Sequence, residues 1–263
     1  MTPGHSDAPA RATLTLLRDF EFRYDNEHVD VAPCAQRLIG FLALQDGRPV
    51  RRTYVSGTLW SESSDAHAQA SLRTALWRSP VCGAEPLVCA SGTHLWLSPL
   101  AEIDVRTATA RAHQLLGLHA IDPTSIDVMA EVAAYGHDVL VGWYDEWVDS
   151  ERERFRQLRL HVLDQLGELL LRAHQYAEAV EVALVALASD ELRESAHRLL
   201  VRAHLCEGNI AEAMRQYRSY ATQLAAQLGV RPSGAMEELI SAVTSAAAQV
   251  PRPGGATRRA ATA

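Results

Sequence analysis

Two hydrophobic periodicities divide this chain into a short mixed segment and a long helical one. Apolar and polar residues alternate from residue 12 to residue 31, and Asp25-Asn26 interrupts the alternation as a turn would. This pattern predicts a small antiparallel sheet. From Asp104 onward the apolar residues recur at helical spacing. The spacing predicts helices over residues 104–117, 123–143, 149–173, 176–188, 191–206, 209–228 and 233–248.

Three shorter helices are predicted between the sheet and residue 80. Pro33, a residue favoured in the first turn of a helix, opens the first, and Arg51-Arg52 open the second. Asp65 is expected to cap the third helix with its carboxylate, and Ser79-Pro80 ends it. The third helix should bury Ala68, Leu72, Ala75 and Leu76 and expose His67, Ala70, Arg73, Thr74 and Trp77, with Arg78 at the edge.

A hairpin is predicted over residues 87–97, with Gly92 at its tip. A sheet, three helices and a terminal hairpin make a winged helix-turn-helix, whose third helix enters the major groove of DNA. Taken alone, the third helix fits an ordinary amphipathic helix with solvated arginines better, but its surroundings favour a recognition helix. We expect base reading by Arg73, Thr74, Trp77 and Arg78, and phosphate or minor-groove contacts by Arg51, Arg52, Thr53, Thr93 and His94.

The helical segment contains an internal repeat. Residues 174–180 match residues 208–214, an offset of 34 that aligns Ala213 with Ala179. Helix pairs repeating at this length, with small residues in the second helix, are typical of tetratricopeptide repeats, and Gly167 lies where that motif has a glycine. Stacked pairs of this kind usually bind other proteins.

Two recognisable copies are fewer than such an array usually needs to be stable by itself. We therefore expect Trp143, Trp147 and Leu160, from the preceding helices, to cap one end of the array. Trp143, Tyr144 and Trp147 form an aromatic cluster in the sequence, and packing between helices is favoured over a ligand-binding cage.

Charge argues mildly against DNA binding. The chain has 25 basic residues, all of them arginine, against 32 acidic ones. Residues 1–103 contain nine arginines and eleven acidic residues, whereas most nucleic-acid binders have a basic excess. DNA affinity should therefore be modest, strongly salt-dependent and confined to a local cluster, which consists of Arg37, Arg48, Arg51, Arg52, Arg73 and Arg78.

Motifs for catalysis, cofactors and metals are missing from the sequence. It has no glycine-rich phosphate loop, and its acidic pairs have no histidine or nucleophile beside them. The four cysteines lack zinc or disulfide-frame spacing, so we expect buried free thiols. Histidines such as His174 and His197 should be surface or cap residues. We expect no enzyme activity and no cofactor. Without a long apolar run or a secretory signal, the protein should be cytoplasmic and not bound to a membrane.

Several short motifs follow one another in a specific order. The N-terminal half has Gln36-Arg37, residues 47–50 (Gly-Arg-Pro-Val), Leu59-Trp60 and residues 71–73 (Ser-Leu-Arg). The C-terminal half has Trp147, Glu151-Arg152, Arg159-Leu160, Arg193-Glu194, residues 197–200 (His-Arg-Leu-Leu), Gly208, Glu212-Ala213, Tyr217 and residues 228–233 (Leu-Gly-Val-Arg-Pro-Ser).

In these motifs the chain resembles the Streptomyces antibiotic regulatory proteins, over roughly residues 12–245. These are actinobacterial transcription activators with an OmpR-like winged helix followed by a bacterial transcriptional activation domain. Two differences stand out. Ser79-Pro80 shortens the recognition helix, and residues 91–94 replace the glycines and aromatic residue common in the family's wing.

The resemblance implies a mainly α protein with a small β part, in which a winged helix-turn-helix precedes an all-α tetratricopeptide-like domain. We expect a disordered N-terminus over 1–11, the winged helix over 12–103, the activation domain over 104–248 and a disordered tail over 249–263. The family's function implies activation of a secondary-metabolite (antibiotic) gene cluster. It also implies binding to direct repeats near the promoter −35 element, self-association on DNA and recruitment of RNA polymerase holoenzyme. The alternative is a protein-interaction adaptor with a degenerate winged helix.

Overall fold

The computed structural model describes residues 12–45, 47–117 and 127–248. Both predicted disordered termini and the start of the helix predicted over 123–143 lie outside the described residues. The chain divides into two compact units, Met1–Gln165 and Leu166–Ala263. The predicted fold class, mainly α with a small β part and a winged helix followed by helical pairs, is confirmed.

The elements are as follows in chain order. They are β1 (Ala12–Thr15), β2 (Glu21–Tyr24), β3 (Glu27–His28), α1 (Pro33–Ala43), β4 (Val50–Arg51), α2 (Arg52–Leu59), α3 (Asp65–Trp77), β5 (Val81–Cys82), β6 (Glu85–Pro86), β7 (Val88–Ala90), β8 (His94–Leu97), β9 (Ala101–Ile103), α4 (Asp104–Gly117), α5 (Val128–Ala134), α6 (Glu146–Arg172), α7 (Tyr176–Ser189), α8 (Glu194–Cys206), α9 (Ile210–Leu228) and α10 (Gly234–Ala248).

The predicted N-terminal sheet is present. β2 pairs antiparallel with both β1 and β3, and Leu14 faces Phe22 across the first pair, with both side chains fully buried. Asp25 and Asn26 form the turn with φ angles of 50° and 65°, a region that Asn and Asp tolerate better than most residues. β9 adds a parallel strand beside β1. Three residues are too few to show an alternating pattern, so the sequence did not predict this strand.

The helix-turn-helix and the wing also follow the prediction. β7 and β8 form the hairpin, and β4 joins it as a third strand that the sequence analysis missed. A small extra hairpin, β5–β6, follows the recognition helix. One detail of α3 is wrong: its N-cap residue is Ser64, whose hydroxyl lies 3.0 Å from Nδ1 of His67. Asp65 is the first helical residue, where its negative charge still suits the positive end of the helix dipole.

The helix predicted over 123–143 is wrong beyond residue 134. α5 ends at Ala134, and the chain then continues without regular structure to the start of α6. Tyr135, Val139 and Leu140 imitate a helical pattern because irregular backbone buries all three. Val139 forms a β-bridge with Leu17, and Leu140, at a φ of 47°, donates its N–H to the carbonyl of Leu16 at 2.8 Å. Hydrophobic spacing alone cannot separate this arrangement from a helix.

Arg152 on α6 holds that irregular segment in place. Its guanidinium donates to the carbonyl oxygens of Val139, Leu140 and Trp143 at 3.1, 2.8 and 3.0 Å. Because a guanidinium has five N–H donors in a fixed plane, one side chain can bind three carbonyls that have no regular partner. Arg152 is one of the residues that carry the resemblance described above, and its role here is structural.

The aromatic cluster is correct for two of its three residues. Trp147 packs edge-on against Trp143 and Phe41, with ring centroids 6.1 and 5.3 Å apart, and Trp143 stacks on Phe20 at 6.2 Å. The third residue, Tyr144, is 93% exposed. The two tryptophans therefore pack on the winged helix, and their expected role as a cap on the helical array stays a prediction.

The second unit contains the helical repeat. α7 packs on α8 and α8 on α9, and the repeat positions Ala179 and Ala213 are both fully buried. The motif glycine is explained by packing, because a Cβ atom at Gly167 would lie 2.2 Å from Cδ2 of Leu199. In the second copy the equivalent residue is Val201, which is buried in a cluster that includes Met236 and Ile240 of α10.

Two expectations about single residues are also wrong. His197, expected to be a surface or cap residue, is buried and stacks on Tyr220 with ring centroids 4.2 Å apart. All four cysteines are free thiols, but only Cys82 is buried: Cys34 and Cys89 are partly buried and Cys206 is exposed. Among the described residues, no helix is long and apolar enough to cross a membrane, and no group of three histidine, cysteine or acidic residues could hold a metal ion.

Candidate nucleic-acid interface

The outer face of α3 has the composition expected of a recognition helix. Ala68, Leu72 and Ala75 are buried, which turns the opposite face outward. That face exposes all four of the residues predicted to read bases: Arg73, Thr74, Trp77 and Arg78. Trp77 is 83% exposed, an unusual position for a large aromatic side chain without a partner surface. The Thr74 hydroxyl donates to the carbonyl of Ala70 at 3.1 Å, so its oxygen lone pairs and its methyl group are left to contact a base.

A chain of hydrogen bonds fixes α3 relative to α2. The Gln69 amide donates to the hydroxyl of Ser56 at 2.7 Å, and that hydroxyl donates to the carbonyl of Thr53 at 3.1 Å. Ser56 is buried, so this polar contact forms in a dry environment where it is geometrically specific. The angle between the two helices of the motif is thereby set by a polar contact as well as by apolar packing.

The wing and the start of α2 are joined through their backbones. Arg51 pairs with His94 in the register of β4 and β8, and the N–H of Arg52 donates to the carbonyl of Thr93 at 2.9 Å. The Thr93 hydroxyl lies 2.8 Å from Nδ1 of His94. This joint explains how residues about forty positions apart in the sequence can act as one surface.

The structure brings all five predicted phosphate-contacting residues together. They line one concave surface with Gly92 and Gln69, and the complete set is Arg51, Arg52, Thr53, Gln69, Gly92, Thr93 and His94. The sequence analysis missed Gln69; its position one helical turn before Arg73 was the available signal. None of the four predicted base-reading residues lines this concavity. They lie further along α3, so the structure separates the two predicted groups while keeping them on adjoining elements.

Ion pairs divide the predicted arginine cluster into two classes. Arg37 pairs with Asp145 in the first unit and is therefore part of the structure. In the parts of the chain that the structure describes, no carboxylate pairs with Arg51, Arg52, Arg73 or Arg78. Exposed guanidinium groups without a carboxylate partner can donate to phosphate oxygens or, in the major groove, to the acceptor edge of guanine.

The chain is similar to known regulators. The profile of a family described as the bacterial transcriptional activator domain matches residues 127–244. The regulatory protein AfsR of Streptomyces griseus is 26% identical over 231 residues, which cover 84% of this chain and 23% of that protein. The regulatory protein AfsR of Streptomyces coelicolor is 28% identical over 242 residues, which cover 88% of this chain and 24% of that protein. This chain thus spans about a quarter of the length of these two relatives.

A solved structure has a similar fold. It is described as Mycobacterium tuberculosis EmbR in complex with a low affinity phosphopeptide, and it matches with a TM-score of 0.69. The match covers 90% of this chain and 66% of that chain at 18% sequence identity. At that identity the likeness concerns the fold alone.

Proposed function

We propose that this chain, which is similar to regulatory proteins and matches the bacterial transcriptional activator domain, is a sequence-specific DNA-binding activator of the Streptomyces antibiotic regulatory protein family. The family consists of regulators and not of enzymes. In this proposal the winged helix binds direct repeats in the promoter DNA near the −35 element. The helical domain holds a second protomer and recruits RNA polymerase, and the target is a secondary-metabolite (antibiotic) gene cluster.

One observation supports DNA binding best. A backbone joint between α2 and the wing gathers five polar or basic side chains into one concavity, beside a helix whose outer face is not neutralised by carboxylates. Arg51, Arg52, Thr53, Thr93 and His94 would contact phosphate or the minor groove and set the register. Arg73, Thr74, Trp77 and Arg78 would then enter the major groove and contact base edges.

Replacement of Arg73 by alanine tests the base-reading role. An arginine that binds guanine through two donors contributes roughly 1–3 kcal/mol of discrimination against a wrong base. Arg73→Ala should therefore relax the sequence preference in a binding-site selection, while the melting temperature stays unchanged because the side chain is exposed. Arg218→Ala, an exposed arginine of α9, is the matched control. An unchanged preference in Arg73→Ala would refute the assignment.

The acidic net charge favours a second candidate, a protein-interaction adaptor whose winged helix no longer binds DNA. The net charge is −7, and the recognition helix is shortened by Ser79-Pro80. A gel shift of the full chain on promoter fragments, repeated over a series of salt concentrations, separates the two candidates. Retarded bands that weaken steeply with salt support the activator, and no retardation at low salt supports the adaptor.

A further inference from the structure

The first unit contains a cavity of about 280 Å³ that the proposed function does not use. Three helices line it: the end of α1, one face of α4 and one face of α6. On α4 the lining residues include Val105, Thr109 and His113, which are four apart and so lie on one side of the helix.

The cavity has an apolar part and a polar part. Leu44, Val105 and Phe155 are buried and supply an apolar floor. His113 on α4 and His161 on α6 are exposed side chains on the two facing helices. A pocket with an apolar floor and a few convergent polar groups is the usual form of a small-molecule site. Its volume limits the occupant to a compact molecule.

Hydrogen-bond donors dominate the polar part. Arg106 and Arg154 line it with the two histidines and Thr109, and Glu151 is the one carboxylate in the lining. Arg106 is held in place by donating from Nε and Nη2 to the carbonyls of Ala43 and Leu42, at 2.8 and 3.0 Å. Nη1 of Arg154 lies 3.7 Å from Glu151, so that carboxylate is already turned towards a cation. A wall rich in guanidinium and imidazole donors suits an oxygen anion as its ligand.

From these features we infer that the cavity binds a small organic carboxylate. The apolar body of the ligand packs on Phe155 and Val105, and its carboxylate accepts hydrogen bonds from the arginine and histidine side chains at the polar part. Inorganic phosphate can accept the hydrogen bonds but has no apolar body to pack on Phe155 and Val105. A neutral aromatic alcohol has the apolar body but no carboxylate. Both should therefore bind more weakly than a carboxylate that carries a ring.

Benzoate titrated into the full-length chain, followed by calorimetry and by chemical shifts, tests this inference. Benzoate should bind at least about tenfold more tightly than benzyl alcohol or inorganic phosphate, because each of these lacks one class of contact. Equal binding of phosphate would reduce the site to a general anion contact and overturn the inference. Absence of benzoate binding up to its solubility limit would also overturn it.

Two threonines on α4 supply a matched pair of variants. Thr109 lines the cavity, whereas Thr107 lines a different depression beside β1 and α5. Thr109→Phe should fill the cavity and abolish benzoate binding, and Thr107→Phe should leave it intact. Loss of binding in both would place the ligand elsewhere. Should Thr109→Phe fail to fold, Arg154→Gln serves instead: an affinity about tenfold lower is expected, and an unchanged affinity refutes the site.

The site also suggests a regulatory link, which rests on the proposed function. A second groove shares Leu44, Glu151 and Arg154 with the cavity and continues to Arg48 and Arg51. A bound carboxylate should therefore change the affinity for promoter DNA in gel shifts of the wild type but not of Thr109→Phe. If the wild type binds DNA but not benzoate, the carboxylate site alone is refuted. If it binds benzoate but not DNA, the proposed function alone is refuted.

Discussion

Arginine is the sole basic residue besides histidine in this chain, and the structure sorts the arginines by what they contact. Arg152 binds carbonyl groups, Arg37 pairs with Asp145, and Arg159 is buried 3.5 Å from Asp138. Arg52 and Arg73 have no carboxylate partner among the described residues. All of these residues are arginines, so the local sequence pattern cannot distinguish an arginine with a structural role from one that is available to bind DNA.

Arg52 should contribute to DNA affinity without contributing to sequence preference. It begins α2 beside the wing, where a guanidinium would meet phosphate. Arg52→Ala should weaken binding to all sequences alike and reduce the salt dependence by about one unit in the slope of log affinity against log salt. The measurement is the affinity for DNA, obtained by titration at several salt concentrations, with Arg218→Ala as control. A changed preference with an unchanged slope would mean that the roles of α2 and α3 are exchanged.

His197 should make stability depend on pH. Its Nδ1 accepts from the Gln216 amide at 2.8 Å and its Nε2 lies 2.9 Å from the carbonyl of Glu191, which suits a neutral ring. Burial lowers the pKa of His197 below its usual value of about 6.5, although the Glu191 carbonyl and the charges of Glu194 and Asp190 act in the opposite direction. The unfolded chain then takes up a proton that the folded chain excludes.

The contribution of His197 to the free energy of unfolding should be fully present above about pH 6.5 and decline as the pH falls below that value. His197→Phe keeps the ring contact with Tyr220 but removes the titrating group, so the pH dependence should become shallower. Denaturant unfolding across this pH range measures it. His174→Phe, at an exposed position, is the control, and equal pH slopes in the wild type and His197→Phe would contradict the prediction.

Contacts between elements explain two of the short sequence motifs in the second unit. Glu194, at the start of α8, accepts hydrogen bonds from the backbone N–H of Ser233 at 2.9 Å and from the Tyr220 hydroxyl at 3.2 Å, and it also bonds the Ser233 hydroxyl. Burial raises the pKa of Glu194, but these bonds and nearby Arg198 outweigh it and hold the pKa below its usual value. The Arg193-Glu194 and Leu228–Ser233 motifs, far apart in sequence, thus form one contact before α10.

A side chain at Gly167 should destabilise the protein, because α6 and α8 approach each other there. A Cβ atom would overlap Leu199 at 2.2 Å, and overpacking of a core usually costs about 1–3 kcal/mol. Gly167→Ala should lower the free energy of unfolding by that amount in a denaturant titration, and Leu199→Ala introduced with it should produce less than the sum of the two losses. Gly234→Ala is the control, since nothing lies within 4 Å of a Cβ there. Additive losses would mean that Leu199 is not the obstacle.

At the scale of the whole molecule, residues beyond the predicted winged helix complete it. The carboxylate of Asp104 accepts the N–H groups of Leu16 and Leu17, each at 2.9 Å, and Trp147 packs on Phe41. Burial raises the pKa of Asp104, while these backbone hydrogen bonds lower it. The first compact unit accordingly extends to Gln165, beyond the predicted domain boundary after Ile103.

A fragment that ends at Ile103 should therefore be much less stable than one that ends at Gln165. The shorter fragment loses the Asp104 hydrogen bonds, the Arg37–Asp145 ion pair and the cover over Phe41, which leaves buried groups exposed or unpaired. Thermal unfolding of the two fragments measures the difference. Comparable melting temperatures would show that residues 104–165 contribute little to the stability of the winged helix.

The longer fragment also tests the division of labour. A gel shift should show that residues 1–165 and the full chain both bind promoter DNA, whereas transcription from a linear promoter template should show activation by the full chain alone. Full activation by residues 1–165 would mean that the second unit, Leu166–Ala263, is not required for activation.

The sequence by itself determined the order and type of most elements. α1, α3, the wing and α6 to α10 follow the predicted helices and hairpin closely, because each buries one face and its hydrophobic period records that face. The exposure of Arg73, Thr74 and Trp77 follows from the same period, as the opposite side of a helix whose small apolar residues face inward. The local hydrophobic pattern is enough to predict an element wherever that element is long enough for its hydrophobic period to repeat.

Only the tertiary structure decided which distant residues act together. β4 and β9 have two and three residues, too few for a period, yet β4 joins the wing to α2 and so creates the concave surface around Arg52. The sequence did not reveal that Trp147 packs on Phe41, since a buried aromatic residue does not specify its partner. Long-range pairing depends on complementary shape and on hydrogen-bond partners supplied by other elements, and neither leaves a periodic trace in the sequence.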